Sequence, residues 1–169
     1  LFGKIFNDAG VATSTLKVAP TTANLKGSNI YIIVDPDTEK ETATPNYMNA
    51  EHAKQISEWV KAGGVLVLLL NDVGNCEISK FNVLPETFGI HFNEDSRNKV
   101  QGLNFEQGAI KIPAGNTIFK TAKKVYIKEI STIVAKAPAV SALTDNGDVL
   151  IATAKYGKGT VFAVGDPWF

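Results

Sequence analysis

The chain has 169 residues, 44% of them hydrophobic and 20% charged, which is enough apolar content to close one core in a single domain. Its 17 basic residues balance its 17 acidic ones, so the sequence carries no electrostatic footprint for nucleic acid or an anionic membrane. No apolar run approaches the roughly 20 residues of a membrane span, and a single cysteine excludes an internal disulfide framework.

In chain order, residues 1–12 read as a helix and "TLKV" (15–18) as a short strand. "NIYIIV" (29–34) is a continuous, β-branched apolar run, the pattern of a strand buried on both faces. "NAEHAKQISEWVKAGG" follows as a helix, with Asn49 as N-cap, Ala53, Ile56 and Val60 on one face, and Gly63-Gly64 as the stop. "VLVLLL" (65–70) is the next buried strand, and a crossover of this length predicts a parallel, right-handed βαβ unit. The second half is strand-rich: "GIHF", "GAIKI", "KVYIKEI" and "IVAKAPAVSAL" precede two turns, Asn146-Gly147 and Gly157-Lys158-Gly159. A last apolar strand, "TVFAVG" (160–165), is placed to rejoin the main sheet. The fold expected is α/β, an open and mostly parallel sheet flanked by helices, with a strand-rich C-terminal half. Both ends look cut, "LFGKIF" beginning abruptly and "GDPWF" stopping where a strand exits, so residues 1–169 read as one domain from a longer protein.

Three buried strands end in polar residues: "IIVDPDT" with Asp35 and Asp37, "LLLNDVGN" with Asn71, Asp72 and Asn75, and "FAVGDPW" with Asp166 and Trp168. Ligand sites of open α/β sheets lie outside the carboxyl ends of the strands. If the three strands are parallel neighbours, these seven residues converge on one rim. Asp and Asn also open loops for local hydrogen-bonding reasons, which is the alternative reading of each. Trp168 could stack on a sugar ring or plug an edge of the core.

Cys76 lies several residues beyond the turn where a strand-to-helix nucleophile elbow would place it. A working thiol also needs a base, and the two histidines sit elsewhere, His52 in the crossover helix and His91 in the "FGIHFN" strand. Cys76 therefore reads as a small core residue. No metal or cofactor site is expected. "DPDTEKE" lacks the glycine and terminal Glu of a calcium loop, "KYGKGT" lacks phosphate-loop spacing, and no Cys/His pair has zinc-ligand spacing.

The phrases "YIIVDPDTEKET…PNY", "WVKAGGVLVLLLND", "FNVLPETFGIHFNEDSRN" and "GKGTVFAVGDPWF" resemble the glutamine-amidotransferase-like domain found beside the catalytic barrel of bacterial unsaturated rhamnogalacturonyl hydrolases. These are glycoside hydrolases acting on unsaturated uronyl oligosaccharides. The resemblance spans nearly the whole chain and implies a class I glutamine amidotransferase-like, flavodoxin-like fold and a periplasmic or secreted location. It also implies two partners, the catalytic barrel of the same polypeptide and pectin-derived oligosaccharide. In true class I amidotransferases a Cys stands in a GxCxG elbow and a His-x-Glu pair follows a late strand. Here the elbow is "LNDVG", with Asn71, Asp72 and Val73, and the late strand "VFAVGDPWF" carries Asp166 and Trp168 without His. The amidotransferase triad is thus missing both its nucleophile and its base.

Three readings are compatible with these residues, the third being purely structural, with the acidic strand ends satisfied by backbone amides and an exposed apolar patch near either end as the sign in its favour. The first is a non-catalytic accessory domain of a polysaccharide-degrading glycoside hydrolase, packing on the barrel or binding carbohydrate through Asp35, Asp37, Asn71, Asp72, Asn75, Asp166 and Trp168. The second is a small hydrolase or transferase in which Asp72 serves as nucleophile or base and Asp166 as its partner. The second requires the two carboxyl groups to meet in one accessible pocket.

Overall fold

The computed structural model describes residues 2–168. Leu1, at the start of the expected first helix, and Phe169, at the end of "GDPWF", lie outside the described residues. A short helix α1 (Phe2–Asp8) leads into an irregular segment, where the expected strand at 15–18 does not form. Strand β1 (Ile30–Val34), helix α2 (Ala50–Ala62) and strand β2 (Val65–Leu69) make the βαβ unit. β1 and β2 pair in parallel with Ile30 opposite Val65. The Asn49 side chain accepts from the His52 N–H at 2.8 Å, and Gly63 ends the helix at φ 132°.

The rest is built from strands. β3 (Ile90–Phe92), β4 (Ala109–Lys111), β5 (Lys124–Tyr126), β6 (Ile133–Ala135), β7 (Ala139–Asp145), β8 (Asp148–Tyr156) and β9 (Gly159–Val164) follow in order. The main sheet runs β1-β2-β9-β8-β6-β3, with β7 also on β8, and β4 and β5 form a separate hairpin. The β7–β8 turn places Asn146 and Gly147 at φ 50° and 92°, the two positive angles that a type I′ turn demands. Only β1, β2 and β9 are parallel; every pairing of β9, β8, β7, β6 and β3 with one another is antiparallel.

This corrects the expected open, mostly parallel, helix-flanked sheet of flavodoxin-like type. Strand makes up 29% and helix 18%, and the mixed sheet curls into a half-barrel. The physical reason is that only β1 and β2 are joined by a helical crossover. Between β2 and β9 the chain makes short 3₁₀ turns and hairpins, which can return a strand only antiparallel to its predecessor.

Two apolar layers hold the sheet. On one face α2 lays Ala53, Ile56, Trp59 and Val60 on Leu66, Leu68, Val161 and Ala163, together with Phe81, Leu84 and Phe88 from the 3₁₀ turns. The other face has no helix: Ile110 and Ile127, from β4 and just beyond β5, cover Leu69, Leu143, Leu150, Ile151 and Val164. Burying such side chains contributes about 1.5–3 kcal/mol each.

The sheet terminates at β3, an edge that a buried side chain closes. Asn82 donates from Nδ2 to the Phe92 carbonyl at 2.9 Å and accepts from the Phe92 N–H at 3.0 Å, replacing an absent neighbouring strand. Asn82→Ala would strand two buried backbone groups and should destabilise the fold by about 2–4 kcal/mol. Urea denaturation checks this, and an unchanged midpoint would show that water satisfies the edge instead.

Candidate functional site

The strand-end rim forms as a topological feature, because β1, β2 and β9 are parallel neighbours whose carboxyl ends lie side by side. Its side chains do not act together, however. They fall into three bonded groups: Asp35, Asn71, Asp72 and Asn75, linked through Asn71; Asp37 in its own loop; and Asp166 with Trp168.

Asp35 follows β1 directly, with its N–H on the Leu69 carbonyl at 2.8 Å and φ at 45°. Asn71 reaches its Oδ2 at 3.4 Å, while Oδ1 is buried without a partner. Burial pushes the Asp35 carboxyl above its ordinary 3.8; the Asn71 amide opposes this, and the neighbouring charges of Glu41, Asp37 and Asp72 add to it. Asp37 turns away into its own loop, where Thr42 donates to Oδ2 at 2.6 Å.

Asp72 is 5% exposed and knits two loops together. Its Oδ1 accepts from Asn75 at 2.6 Å, its Oδ2 accepts from the Ser96 hydroxyl, and its own N–H bonds the Asn71 side chain at 2.9 Å. Its carbonyl accepts the N–H groups of Asn75 and Cys76 at 3.1 and 3.2 Å, so the residues after β2 form a tight polar turn. No α-helix follows, and the amidotransferase elbow has no counterpart in backbone geometry. The loop that carries Ser96 is fixed from its other side. Arg97 holds the Asp145 carbonyl at 2.8 Å, and the carboxylates of Asp145 and of Asp148 (the latter at 3.1 Å), on the β7–β8 hairpin.

Asp166, two residues beyond β9, is 1% exposed. Its Oδ2 accepts the Lys128 N–H and its Oδ1 the Trp168 N–H, both at 2.7 Å. Burial raises its carboxyl above the ordinary range, and these two N–H groups partly offset the rise. Asp72 and Asp166 therefore spend their oxygens on different loops, and no hydrogen bond joins their carboxylates.

Cys76 is buried, and burial drives its thiol up to about 12. His91 points outward between the fully buried Ile90 and Phe92 and pairs with Glu86 at 2.8 Å beside an open depression of about 490 Å³. His52 stands in the first turn of α2. Among the described residues, no three His, Cys, Asp or Glu are grouped to hold a metal ion, and no helix is long and apolar enough to cross a membrane.

Beside Asp166 lies a feature that sequence reasoning missed. A concavity of about 120 Å³ is walled by Phe105, Tyr126 and Trp168, which are 55%, 44% and 73% exposed. Trp168 was legible as a candidate; Phe105 and Tyr126 come from distant segments, "LNFEQ" and "KVYIKEI", and only the β4–β5 hairpin brings them to it.

Neither family models nor curated proteins give a match to the chain. Solved structures do match in fold. The mmIFT52 N-terminal domain is 18% identical at a TM-score of 0.75, covering 96% of this chain and 76% of that one. A cytoplasmic protein from Salmonella typhimurium LT2 is 16% identical at 0.68, and another from Salmonella typhimurium is 17% identical at 0.66, each covering 96% of this chain and 73% of its own. At such identities the likeness is one of fold alone.

The Asp35 carboxyl makes the rim pH-sensitive. Its raised pKa means that the folded state holds the proton more tightly than the unfolded one, so wild-type stability falls as pH rises from the ordinary 3.8 through the folded value. Asp35→Asn lacks this titration and suits a positive φ at least as well. Its unfolding free energy from urea denaturation, relative to wild type, should rise between pH 3 and pH 7 by less than about 1 kcal/mol for so partly solvated a group. A relative free energy that falls over that range would reverse the assignment.

Proposed function

We propose that the chain is a non-catalytic accessory domain, acting as a packing or binding partner within a secreted or periplasmic glycan-degrading enzyme. One observation carries the non-catalytic part: the carboxylates at the ends of β2 and β9 are committed to internal hydrogen bonds, with Asp72 on Ser96 and Asn75 and Asp166 on the Lys128 and Trp168 amides. The single thiol is buried and held protonated, and neither histidine is hydrogen-bonded to it or to these carboxylates. A nucleophile without a base, on a turn with no exposed acid-base pair, has no route to an acyl or glycosyl intermediate. The glycan-degrading context is supported by the phrases "GGVLVLLLND" and "GTVFAVGDPW", which resemble the accessory domain of unsaturated rhamnogalacturonyl hydrolases.

The alternative of an Asp72–Asp166 enzyme is less favoured, since it needs the two carboxyl groups to share a pocket. The reading predicts no turnover of glutamine, acyl esters or aryl glycosides above the uncatalysed rate. It also predicts that Cys76 reacts with iodoacetamide only as fast as the domain opens, since the thiol is buried and burial disfavours its thiolate. Turnover abolished by Asp72→Asn, or rapid native-state alkylation, would contradict it.

A further inference from the structure

We infer that the concavity between Phe105, Tyr126 and Trp168 is a binding subsite for one ring of a neutral carbohydrate. The inference rests on the glycan-associated reading above, shares Asp166 and Trp168 with the strand-end rim, adds Phe105 and Tyr126, and is tested separately.

Three large aromatic side chains are left 44–73% exposed around a single hollow, an apolar grouping of the kind that marks a binding surface. The hollow is built rather than incidental. Tyr126 is fixed at both ends, its hydroxyl donating to Glu106 Oε1 at 2.8 Å and the Lys124 ammonium lying 5.2 Å from its ring centre. Trp168 is anchored through its backbone N–H on Asp166. A ring set in place before binding, as Tyr126 is, loses little freedom when a ligand stacks on it, which favours a small occupant with few contacts.

The chemistry of the lining selects among small occupants. Aromatic faces carry partial negative charge and attract the weakly positive C–H groups on the face of a pyranose. Ile127 and the Asp166 carboxylate complete the lining, but the carboxylate is 1% exposed and already holds the Lys128 and Trp168 N–H groups, so recognition falls to the ring faces. A hollow of about 120 Å³ suits a single ring rather than a helix or strand. Charge then decides between neutral and acidic sugars. Lys124 is spent on Glu106 at 2.8 and 3.0 Å, and Lys128 on Glu129 at 3.0 Å. Lys128, the one lysine of the lining, is thus paired, and Lys124 beside Tyr126 is held by Glu106, so no unpaired cation lines the hollow to receive a ligand carboxylate, which the Asp166 charge would repel. The subsite therefore prefers a neutral hexose unit to a uronate.

The test uses the two tryptophan indole N–H resonances of the chain, because Trp59 lies on the buried face of α2 and serves as an internal control for folding. The probes are cellotriose, mannotriose, galactotriose, trigalacturonate and a decaproline peptide. At least one neutral trisaccharide should shift the Trp168 resonance saturably with a millimolar Kd and leave Trp59 in place. Phe105→Ala should weaken that binding about tenfold, and trigalacturonate should bind at least about tenfold more weakly than the best neutral probe. Three results would overturn the inference: no saturable shift with any neutral probe up to ~50 mM, trigalacturonate binding as tightly as the neutral sugars, or a response to decaproline alone. None of these bears on whether Cys76 and Asp72 are inert, and catalytic turnover would not affect the subsite.

Discussion

Strand β9 is hydrogen-bonded along both edges, parallel to β2 on one side and antiparallel to β8 on the other, and the two halves of the sheet are continuous only through it. Its ends are fitted so closely that side chains are excluded. A Cβ on Gly159 would lie 2.0 Å from the Val60 carbonyl oxygen at the end of α2, and one on Gly165 would lie 1.8 Å from that of Ser131. Between these glycines Val161, Ala163 and Val164 are fully buried, feeding both apolar layers. Everything at the strand-end face takes its position from where β9 stops, because Asp166 follows at once and ties the chain to Lys128.

That tie explains why a rim with the layout of an active site lacks the free groups of one. A buried carboxylate without partners would be costly. Two backbone N–H groups stabilise the Asp166 oxygens, and Ser96 and Asn75 do the same for Asp72. Asp35 is the exception, with one buried oxygen unpaired in a positive-φ residue, and its cost falls on stability. The clamped carboxylates instead shape the backbone, and in the case of Asp166 they set the aromatic wall formed by Trp168.

Local signals in the sequence were sufficient for the βαβ unit. The apolar runs at 30–34 and 65–69, the Asn49 cap and the Gly63 stop act within a few residues of themselves and form as elements. But β1 is an edge strand, with Ile30 and Val34 42% and 45% exposed, and not the strand buried on both faces that its composition suggested. The Asn146-Gly147 turn and the return of the last strand beside β2 were legible for the same reason. The curl of the sheet was not, since it depends on the path between β2 and β9, where short strands and 3₁₀ turns carry little periodicity. "TLKV" shows the limit from the other direction: an alternating tetrapeptide makes no strand where no partner edge reaches it. Of the rim, adjacency of the three strand ends could be anticipated. Which partner each carboxylate takes could not, because Ser96 and Lys128 lie 24 and 38 residues from Asp72 and Asp166. The aromatic hollow was hidden for the same reason.

Amide hydrogen exchange at Lys128 and Trp168 tests most directly whether the strand-end carboxylates are structural clamps. Both N–H groups should exchange slowly in the wild-type chain, and both should lose protection in Asp166→Ala while the amides of β2 and β9 stay protected. Rapid exchange of Lys128 and Trp168 in the wild type, with β9 itself protected, would mean that the Asp166 carboxylate is free, and would return the rim to the class of open, ligand-ready sites.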